Sequence, residues 1–429
     1  MLKTLKNAWK IAELRSKLIF TIIVIVLYRV GSVIPVPYIN ADALGSLFQG
    51  QSIFTYFNLI SGDALSKATL FALSISPYIT ASIVIQLLTI AIPALERLSK
   101  EGPEGRKKLT QITRYCTVGL ALLTSFGYYT YLRSMQGILV SGAEKFGFEA
   151  IVIITCYCAG AAIIMWLAEK INDHGVGNGI SIILFANIAA SLPNILGSAF
   201  AQIGVSTLGI LIPVITIAII AFMIIFVVYV TNAERRIPVQ YAKRQVGRKM
   251  YGGQNTYIPM KLNMSGVMPI IFAGSIASIP ATLAMIIKPK AGGVWDFIVN
   301  KIFNYSSPVY MVIYFLLIIA FSYFYLAISF NPVEISNNLK NNGGSIPGIR
   351  PGKPTTDYIT KILGKVTLIG AIFLGIIATL PLLAGIGNGP LTGLAFGGSS
   401  LLILVSVALE TQKELEAQMT MRHYKGFLD

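Results

Sequence analysis

The sequence is short of charged residues. Asp, Glu, Lys and Arg make up only 12% of its 429 residues, against about 25% in soluble domains. Hydrophobic residues make up 55%, and apolar windows recur along the whole chain. Lipid offers the backbone no hydrogen bonds, and windows of about 17 or more apolar residues indicate helices rather than alternating strands. We therefore predict an all-α polytopic membrane protein.

Residues that carry chemistry are also scarce. The chain has two histidines and three cysteines, and the cysteines all lie in or beside apolar windows. Such cysteines are typical of buried free thiols, and so few ligand residues predict no metal site. No P-loop, Ser/His/Asp constellation or pair of clustered carboxylates occurs, and the glycine-rich segment 173–179 is expected to form a tight turn between two spans. We expect no catalytic residue, cofactor or metal, which argues against an enzyme.

The apolar windows and the basic residues together predict a topology. Of the 34 Lys and Arg residues, 27 lie at the termini and in the even-numbered loops, 6 lie in the odd-numbered loops, and Arg29 lies in the first span. Cytoplasmic loops carry the excess of Lys and Arg, so both termini are expected in the cytoplasm. The net charge of +16 is then mainly a topology signal and predicts no direct DNA binding. The ten spans are Leu18–Ile34, Thr69–Ile92, Tyr115–Leu132, Ala150–Ala168, Ile180–Leu196, Leu208–Val230, Val267–Ile287, Val309–Phe330, Val366–Leu383 and Leu391–Leu409.

The second span, Thr69–Ile92, is uncharged but is interrupted by Pro77, which we expect to break its backbone hydrogen bonding. Ile79 and Ile83 are four residues apart and therefore share a helix face. Two interpretations stay open: the small polar groups bond neighbouring helices in a bundle, or the helix lines a crevice or a movable seam. The polar residues are Ser74, Ser76, Thr80, Ser82, Gln86 and Thr89.

The external segment before that span, Pro35–Ala68, contains a moderately apolar stretch of about 17 residues, too short and too interrupted to cross a bilayer. A re-entrant helix fits this pattern, and such a helix needs protein or a water-filled cavity around it at membrane depth. A surface-lying amphipathic helix is the alternative. Arg29 lies towards the outer end of the first span, where its side chain could snorkel to the interface.

Two loops on the basic side are too long and too patterned to be simple connectors. Thr231–Leu262 contains alternating β-type residues between basic clusters, which predicts a protruding hairpin. Asn331–Lys365 contains glycines and prolines that are expected to form a turn presenting Arg350. Such loops fit a docking platform for something large, although charges that bind anionic lipid heads, worth about 1 kcal/mol each, are the alternative. The basic residues expected near the hairpin tip are Arg244, Arg248 and Lys249.

Nine ordered motifs resemble those of the SecY family, the channel-forming subunits of the Sec protein translocon. The resemblance extends over essentially the entire chain, and its motifs are specific because they recur in the same order across ten spans. They are YRVGSVIPVP at 28–37, SPYITASIVIQLL at 76–88, EGPEGRKK at 101–108, GVGNGISI at 175–182, ERRIPVQYAKRQVGR at 234–248, KLNMSGVMP at 261–269, FNPVEISNNLK at 330–340, GIRPGKPT at 348–355 and GGSSLLI at 397–403.

The resemblance implies a fold and a set of site residues. Two halves of five helices, about 1–200 and 201–429, would be related by inverted pseudo-symmetry, with a plug at roughly Phe57–Thr69 and a C-terminal tail at 410–429. A ring of aliphatic side chains would form the pore constriction: Ile79, Ile83, Leu184, Ile271 and Ile403. The plug would include Phe57, Asn58, Leu59, Ile60, Ser61, Gly62, Asp63, Ala64 and Leu65. A lateral gate would include Thr80, Gln86, Met268 and Phe272.

The resemblance also implies a function and partners. The chain would conduct unfolded secretory polypeptides across the bacterial cytoplasmic membrane and release transmembrane segments sideways into lipid. SecE and SecG would be its partner subunits, and signal peptides and translocating polypeptides its cargo. The motor ATPase SecA or the ribosome would dock on Arg244, Arg248, Lys249 and Arg350.

Two rival functions stay open on the residues alone. A secondary transporter of small solutes shares the inverted repeats and broken helices, but the scarcity of charge inside the spans and the two basic loops weigh against it. A membrane scaffold with no conduction is consistent with the composition, but it leaves the aliphatic ring and the plug-like segment without a role.

Overall fold

The structure of the protein is a computed structural model, and the fold is mostly helical. The residues that it describes are 2–40, 44, 58, 61–134, 137–140, 147–200, 211–241, 244–246, 249–251, 255–264, 266–287, 293–304, 307–386 and 397–425.

Helices account for most of this part of the chain, and five strands lie in its basic loops. The helices are α1 (Leu2–Lys10), α2 (Ala12–Gly31), α3 (Ser76–Ala91), α4 (Pro93–Lys100), α5 (Pro103–Arg133), α6 (Phe148–His174), α7 (Gly179–Phe200), α8 (Leu211–Asn232), α9 (Met268–Ile286), α10 (Val294–Asp296, continued by a π-helical turn at Phe297–Ile302), α11 (Pro308–Ser329), α12 (Pro332–Asn341), α13 (Lys353–Ile386) and α14 (Gly397–Lys425). The strands are β1 (Glu234–Tyr241), β2 (Arg244–Val246), β3 (Lys249–Tyr251), β4 (Asn255–Lys261) and β5 (Gly344–Ser345).

A helix lies at each of the ten predicted spans. Within the described ranges, four stretches are long and apolar enough to cross a membrane, and α3 with α4 makes a fifth if this pair, bent by 101°, is one span. The protein therefore has several apolar helices of membrane-spanning character. The four stretches are Phe148–His174, Pro213–Asn232, Pro308–Asn341 and Lys353–Leu380.

The predicted second span is wrong in its first third. The chain forms successive turns from Gly62 to Ile75, and α3 begins only at Ser76. Pro77 therefore lies in the first turn of the helix and does not interrupt it. The first backbone N–H groups of a helix have no partner within it, so proline costs nothing there and its fixed φ favours the helical start.

Two groups of helices pack against each other. In one group α5 packs against α3 and α6, and α7 packs against α2 and α6; in the other α11 packs against α9 and α13, and α14 packs against α8 and α13. The groups meet where α9 contacts α3 and α5, and where α7 contacts α8 and α14. One apolar core, from Val24 in α2 to Val407 in α14, runs through both groups.

The basic loops form a single platform. β1 pairs antiparallel with β4, as the predicted hairpin requires, and β2 pairs antiparallel with β3. β5, from the second loop, pairs with the other edge of β1, so the sheet order is β4-β1-β5. Ile237 and Val239 of β1, Met260 of β4 and Leu339 of α12 share a small apolar core. We call β1–β5 and α12 the loop platform.

The turns before α3 lie directly against α6. A Cβ added at Gly160 of α6 would lie 2.0 Å from the carbonyl oxygen of Leu70, which is closer than two such atoms can approach. Leu70 is itself tied by its backbone N–H to the carbonyl of Ile34 at 2.9 Å. By contrast, a Cβ added at Gly119 of α5 would have no atom within 4 Å.

We expect Gly160→Ala to destabilise the protein, because the backbone at Leu70 must shift and overpacking of this kind costs about 1–3 kcal/mol. Gly119→Ala is the matched control and should not destabilise, since alanine favours a helix more than glycine does. Thermal unfolding in lipid nanodiscs measures both variants. Equal midpoints for the two would contradict the close approach of α6 to Leu70.

Candidate functional site

Five aliphatic side chains from four helices lie in the core shared by the two helix groups, and four of them line one cavity. Ile79 and Ile83 lie on α3, Leu184 on α7, Ile271 on α9 and Ile403 on α14. All five are buried, with between 2% and 7% of their surface exposed. They belong to one apolar core, although they are far apart in the sequence. We call them the aliphatic ring.

A small cavity lies beside the aliphatic ring. Its volume is about 40 Å³, and it is lined by every ring residue except Ile83. A water molecule needs roughly 10–15 Å³ of such volume, so the cavity has room for a few waters and none for a polypeptide. The two helix groups are therefore closed against each other at the aliphatic ring.

Small polar side chains lie next to the aliphatic ring, where α3, α5 and α9 meet. Thr80 lines both the cavity beside the ring and a second cavity of about 80 Å³. Sequence reasoning missed the residues of α9 that line the second cavity together with Thr80. Ser278 and Thr282 are four residues apart on α9 and could have been recognised as a polar stripe. The polar residues that line the second cavity include Ser74, Ser76, Thr80, Thr124, Ser278 and Thr282.

The other three residues predicted for a lateral gate lie elsewhere. Gln86 is exposed on α3, and Met268 is half-buried at the start of α9. Phe272 is buried, and its ring packs edge-on against Phe321 of α11 at 5.9 Å. Of the predicted gate residues, Thr80 is therefore the one that lines the cavities between α3 and α9.

The segment before α3 is a compact, internally bonded series of turns. The Asn58 side chain donates to Asp63 at 3.0 Å and accepts from the Ser66 backbone at 2.8 Å. The Ser61 hydroxyl accepts from the backbone N–H of Leu65 at 3.1 Å. These bonds give the segment a fixed shape, in which Asn58 and Ser61 are helical and turns follow from Gly62. Three of the predicted plug residues, Phe57, Leu59 and Ile60, lie outside the described residues.

The same segment is fastened to the surrounding helices. The Tyr128 hydroxyl of α5 donates to the Leu65 carbonyl at 3.0 Å. The backbone N–H of Val36 donates to the carbonyl of Ala68 at 3.0 Å, and Pro35 pairs with Thr69 as an isolated antiparallel bridge. Gly62, Asp63, Ala68 and Ser74 all have positive φ, a conformation that costs non-glycine residues about 1–3 kcal/mol each unless their surroundings hold it.

Arg29 does not snorkel outward, contrary to the expectation from its position in the span. Its guanidinium donates to the backbone carbonyl of Ala186 in α7, and the residue is half-buried. One residue further along α7, the buried Asn187 donates to the Ser74 hydroxyl at 3.1 Å. α2 and the turns before α3 are therefore both hydrogen-bonded to the same point of α7, because lipid offers these groups no alternative partner.

The predicted docking residues are distributed over the loop platform. Arg350 is exposed in the turn that follows β5, and its backbone carbonyl accepts from the Thr355 hydroxyl at 2.9 Å. Arg244 lies in β2 and Lys249 in β3, while Arg248 lies outside the described residues. Arg236 of β1 is also exposed; its hydrogen bond to Glu234 at 2.7 Å raises the pKa of its guanidinium.

Charged residues join α14 to the base of the loop platform. Burial raises the pKa of the Glu410 carboxyl, with Glu414 adding to the rise and Lys261 of β4 opposing it. Burial also lowers the pKa of the Lys413 amine, and Lys261 contributes to that shift. The end of the helix that carries Ile403 is therefore in electrostatic contact with the strands of the platform.

Within the described ranges, no group of three or more His, Cys, Asp or Glu side chains is arranged to hold a metal ion. The three cysteines, Cys116, Cys156 and Cys158, are free and half-buried.

Comparisons with known proteins agree over nearly the whole chain. The model of the SecY family matches residues 69–412. The protein translocase subunit SecY of Streptomyces galbus is 45% identical over 439 aligned positions, which cover 100% of both chains. The protein translocase subunit SecY of Mycobacterium tuberculosis is 42% identical over 447 aligned positions, again covering 100% of both chains.

Solved structures share the fold at lower identity. A structure described as that of a protein conducting channel superimposes with a TM-score of 0.67 at 20% identity, covering 94% of this chain and 92% of the other. Sec61 in the canine ribosome–channel complex superimposes with a TM-score of 0.63 at 19% identity and the same coverage. Aligned over its full length with relatives more than 40% identical, the chain belongs to the SecY family.

Proposed function

We propose that polypeptides cross the membrane through this subunit at the aliphatic ring, which is the constriction of its pore. A member of the SecY family is a channel subunit of the protein translocase and not an enzyme. The observation that carries the proposal is that five buried aliphatic side chains from both helix groups share one core, and that four of them line a cavity with room for only a few waters.

The chemistry of the ring suits such a constriction. Branched aliphatic side chains offer no hydrogen bond, so a narrow passage between them tends to dewet and blocks ions. Apolar contacts are also non-directional, so the same ring can deform around any polypeptide without reading its sequence. A closed ring with space for only a few waters would hold the seal until a substrate pushes it open.

The helix packing supports a lateral exit for membrane segments. α9 contacts α3 and α5 through a region lined with hydroxyl groups, including Thr80, Ser278 and Thr282. The hydroxyls of Thr80, Ser278 and Thr282 each donate to a carbonyl of their own helix, so their protons do not bond α3 to α9. A seam that these donors do not fasten can stay packed in the closed channel and yield to a signal peptide. Gln86, near the end of α3, and Met268 and Phe272, at the start of α9, would line the cytoplasmic end of this seam.

We also propose how the chain divides into two halves and on which side of the membrane its termini lie. The first half, 1–200, would contain the spans α2, α3, α5, α6 and α7. The second half, 201–429, would contain the spans α8, α9, α11, α13 and α14 in an inverted arrangement. The turns around Asn58–Thr69 would form the plug. Both termini would lie in the cytoplasm of a bacterial cell, as the distribution of Lys and Arg indicates.

The loop platform would then face the cytoplasm as a docking surface. Arg350 is exposed beside the three-stranded sheet, and β2 and β3 carry Arg244 and Lys249. The related Sec61 channel has been solved in a complex with the ribosome, which supports ribosome docking here. SecA would use the same surface, and SecE and SecG would complete the complex.

A photocrosslinker on a polypeptide stalled in mid-translocation should label Ile79, Ile83 or Ile271. We expect this labelling because the side chains of the constriction must contact any polypeptide that passes between them. Mass spectrometry of the crosslinked peptides identifies the site. Ile225 of α8 is the matched control, since the same side chain is 69% exposed there and faces outward. Labelling confined to such outward positions would refute the pore.

Reversing the charge at Arg350 or Arg248 with glutamate should impair transport driven by SecA. A partner that binds the basic loops would lose an ion pair and meet a repulsive charge instead. Loss of one member of a buried, hydrogen-bonded charge pair costs about 2–5 kcal/mol of binding free energy. Translocation of a secretory precursor into vesicles measures the loss. Arg133→Glu, at the exposed end of α5, should transport normally. Normal transport by both platform variants would contradict docking on these arginines.

Deleting Asn58–Lys67 should raise ion leakage through reconstituted channels, because the turns that pack against α5 and α7 would be gone. Conductance across a planar bilayer measures the leakage. Lys67→Ala, at an exposed position of the same segment, is the control and should leave the conductance unchanged. A deletion variant as tight as the unmodified channel would remove the plug from the proposal.

A further inference from the structure

Arg29, a cationic residue of the first span, lies against the segment before α3. The guanidinium donates to the Ala186 carbonyl of α7. Its Nη1 atom is 3.0 Å from the point where a Cβ at Gly62 would stand. The charge of Asp63 acts on the same guanidinium. Arg29 therefore touches α7 and this segment at once.

The backbone of the segment is pressed onto α7 at that point. A Cβ at Gly62 would also lie 3.2 Å from both the Cα and the carbonyl oxygen of Asn187. Gly62 has a φ of +65° and Asp63 a φ of +66°, a conformation that glycine adopts freely and aspartate at a cost. The surroundings must therefore hold this turn in place.

A guanidinium suits that task. It stays charged at any physiological pH, and its five N–H donors lie in a rigid planar fork that can serve several acceptors at once. A charge within a membrane span is costly unless it is paired, and such a residue indicates function by default. Here the guanidinium donates to the Ala186 carbonyl of α7 and lies against the backbone at Gly62, where the charge of Asp63 acts on it. One side chain therefore links the two elements.

We propose that Arg29 is a positioning residue that latches the segment Ser61–Thr69 to α7. The proposal rests on the plug role given to this segment above. Asp63 is bonded through its carboxylate to Asn58 within the segment at 3.0 Å, while Arg29 is bonded to α7. Displacement of the segment separates the two charges in a medium of low dielectric, where their attraction is strongest. The latch thus favours the closed arrangement and resets it after each substrate.

Hydrogen exchange of the intact channel in nanodiscs, read by mass spectrometry, tests the latch. Arg29→Met and Asp63→Asn should each speed exchange across 61–69 by about tenfold, and the double variant should add little to either, as for contacting pairs in a double-mutant cycle. Arg29→Lys, which keeps the charge but loses the fork, should have a smaller effect. Arg133→Met is the matched control and should leave exchange unchanged.

Ion conductance of the same variants separates this proposal from the plug role. Faster exchange with raised leakage supports both. Faster exchange with unchanged leakage supports the latch and removes the plug. Two outcomes overturn the latch whatever the conductance. One is unchanged exchange in Asp63→Asn and in a folded Arg29→Met. The other is a strictly additive effect of the two substitutions in the double variant. Folding is judged from unaltered exchange in α11 and α13, which pack together in the other helix group.

Discussion

The structure depends on hydrogen bonds that pair its polar groups with one another, because lipid offers them no water. Within its helices, hydroxyls such as those of Thr117 and Ser125 donate to the carbonyl one turn earlier. Between elements, Asn187 bonds Ser74 and Tyr128 bonds Leu65, which fixes the turns before α3 to two different helices. The five members of the aliphatic ring carry no polar group, so packing alone holds these side chains together.

The helices and the first hairpin were predictable because their signals are local. Apolar runs long enough to span lipid and an alternating segment between basic clusters lie within short windows of sequence. The aliphatic ring was not predictable in that way. Ile271 and Ile403 are ordinary members of apolar runs, and only the packing of α9 against α3 and of α14 against α7 brings them together. Their assignment came from matching motifs of the SecY family, and the structure places all five in one apolar core.

Other features depend on contacts between distant residues, and sequence reasoning missed or misread them. The position of Arg29 in its span indicated an outward side chain, but a carbonyl 157 residues away in α7 provides its partner. The start of the predicted second span, Thr69–Ile75, was expected to be helical, but its backbone forms turns. The N–H of Leu70 donates to the Ile34 carbonyl, and the Ser74 hydroxyl accepts from Asn187 of α7. The spacing of Ser278 and Thr282 puts them on one face of α9, but only the structure shows that they line a cavity together with Thr80.

The pairing of β5 with β1 has a consequence for how the molecule is made. Gln240 pairs with Ser345, so the third strand leaves the site of synthesis only after α9 and α11 have been produced. The hairpin of β1 and β4 emerges earlier, with one edge open. Contacts of such large sequence separation form late because the intervening chain must first be ordered. The three-stranded surface is therefore complete only in a molecule whose second helix group is well advanced, and an unfinished chain cannot present it.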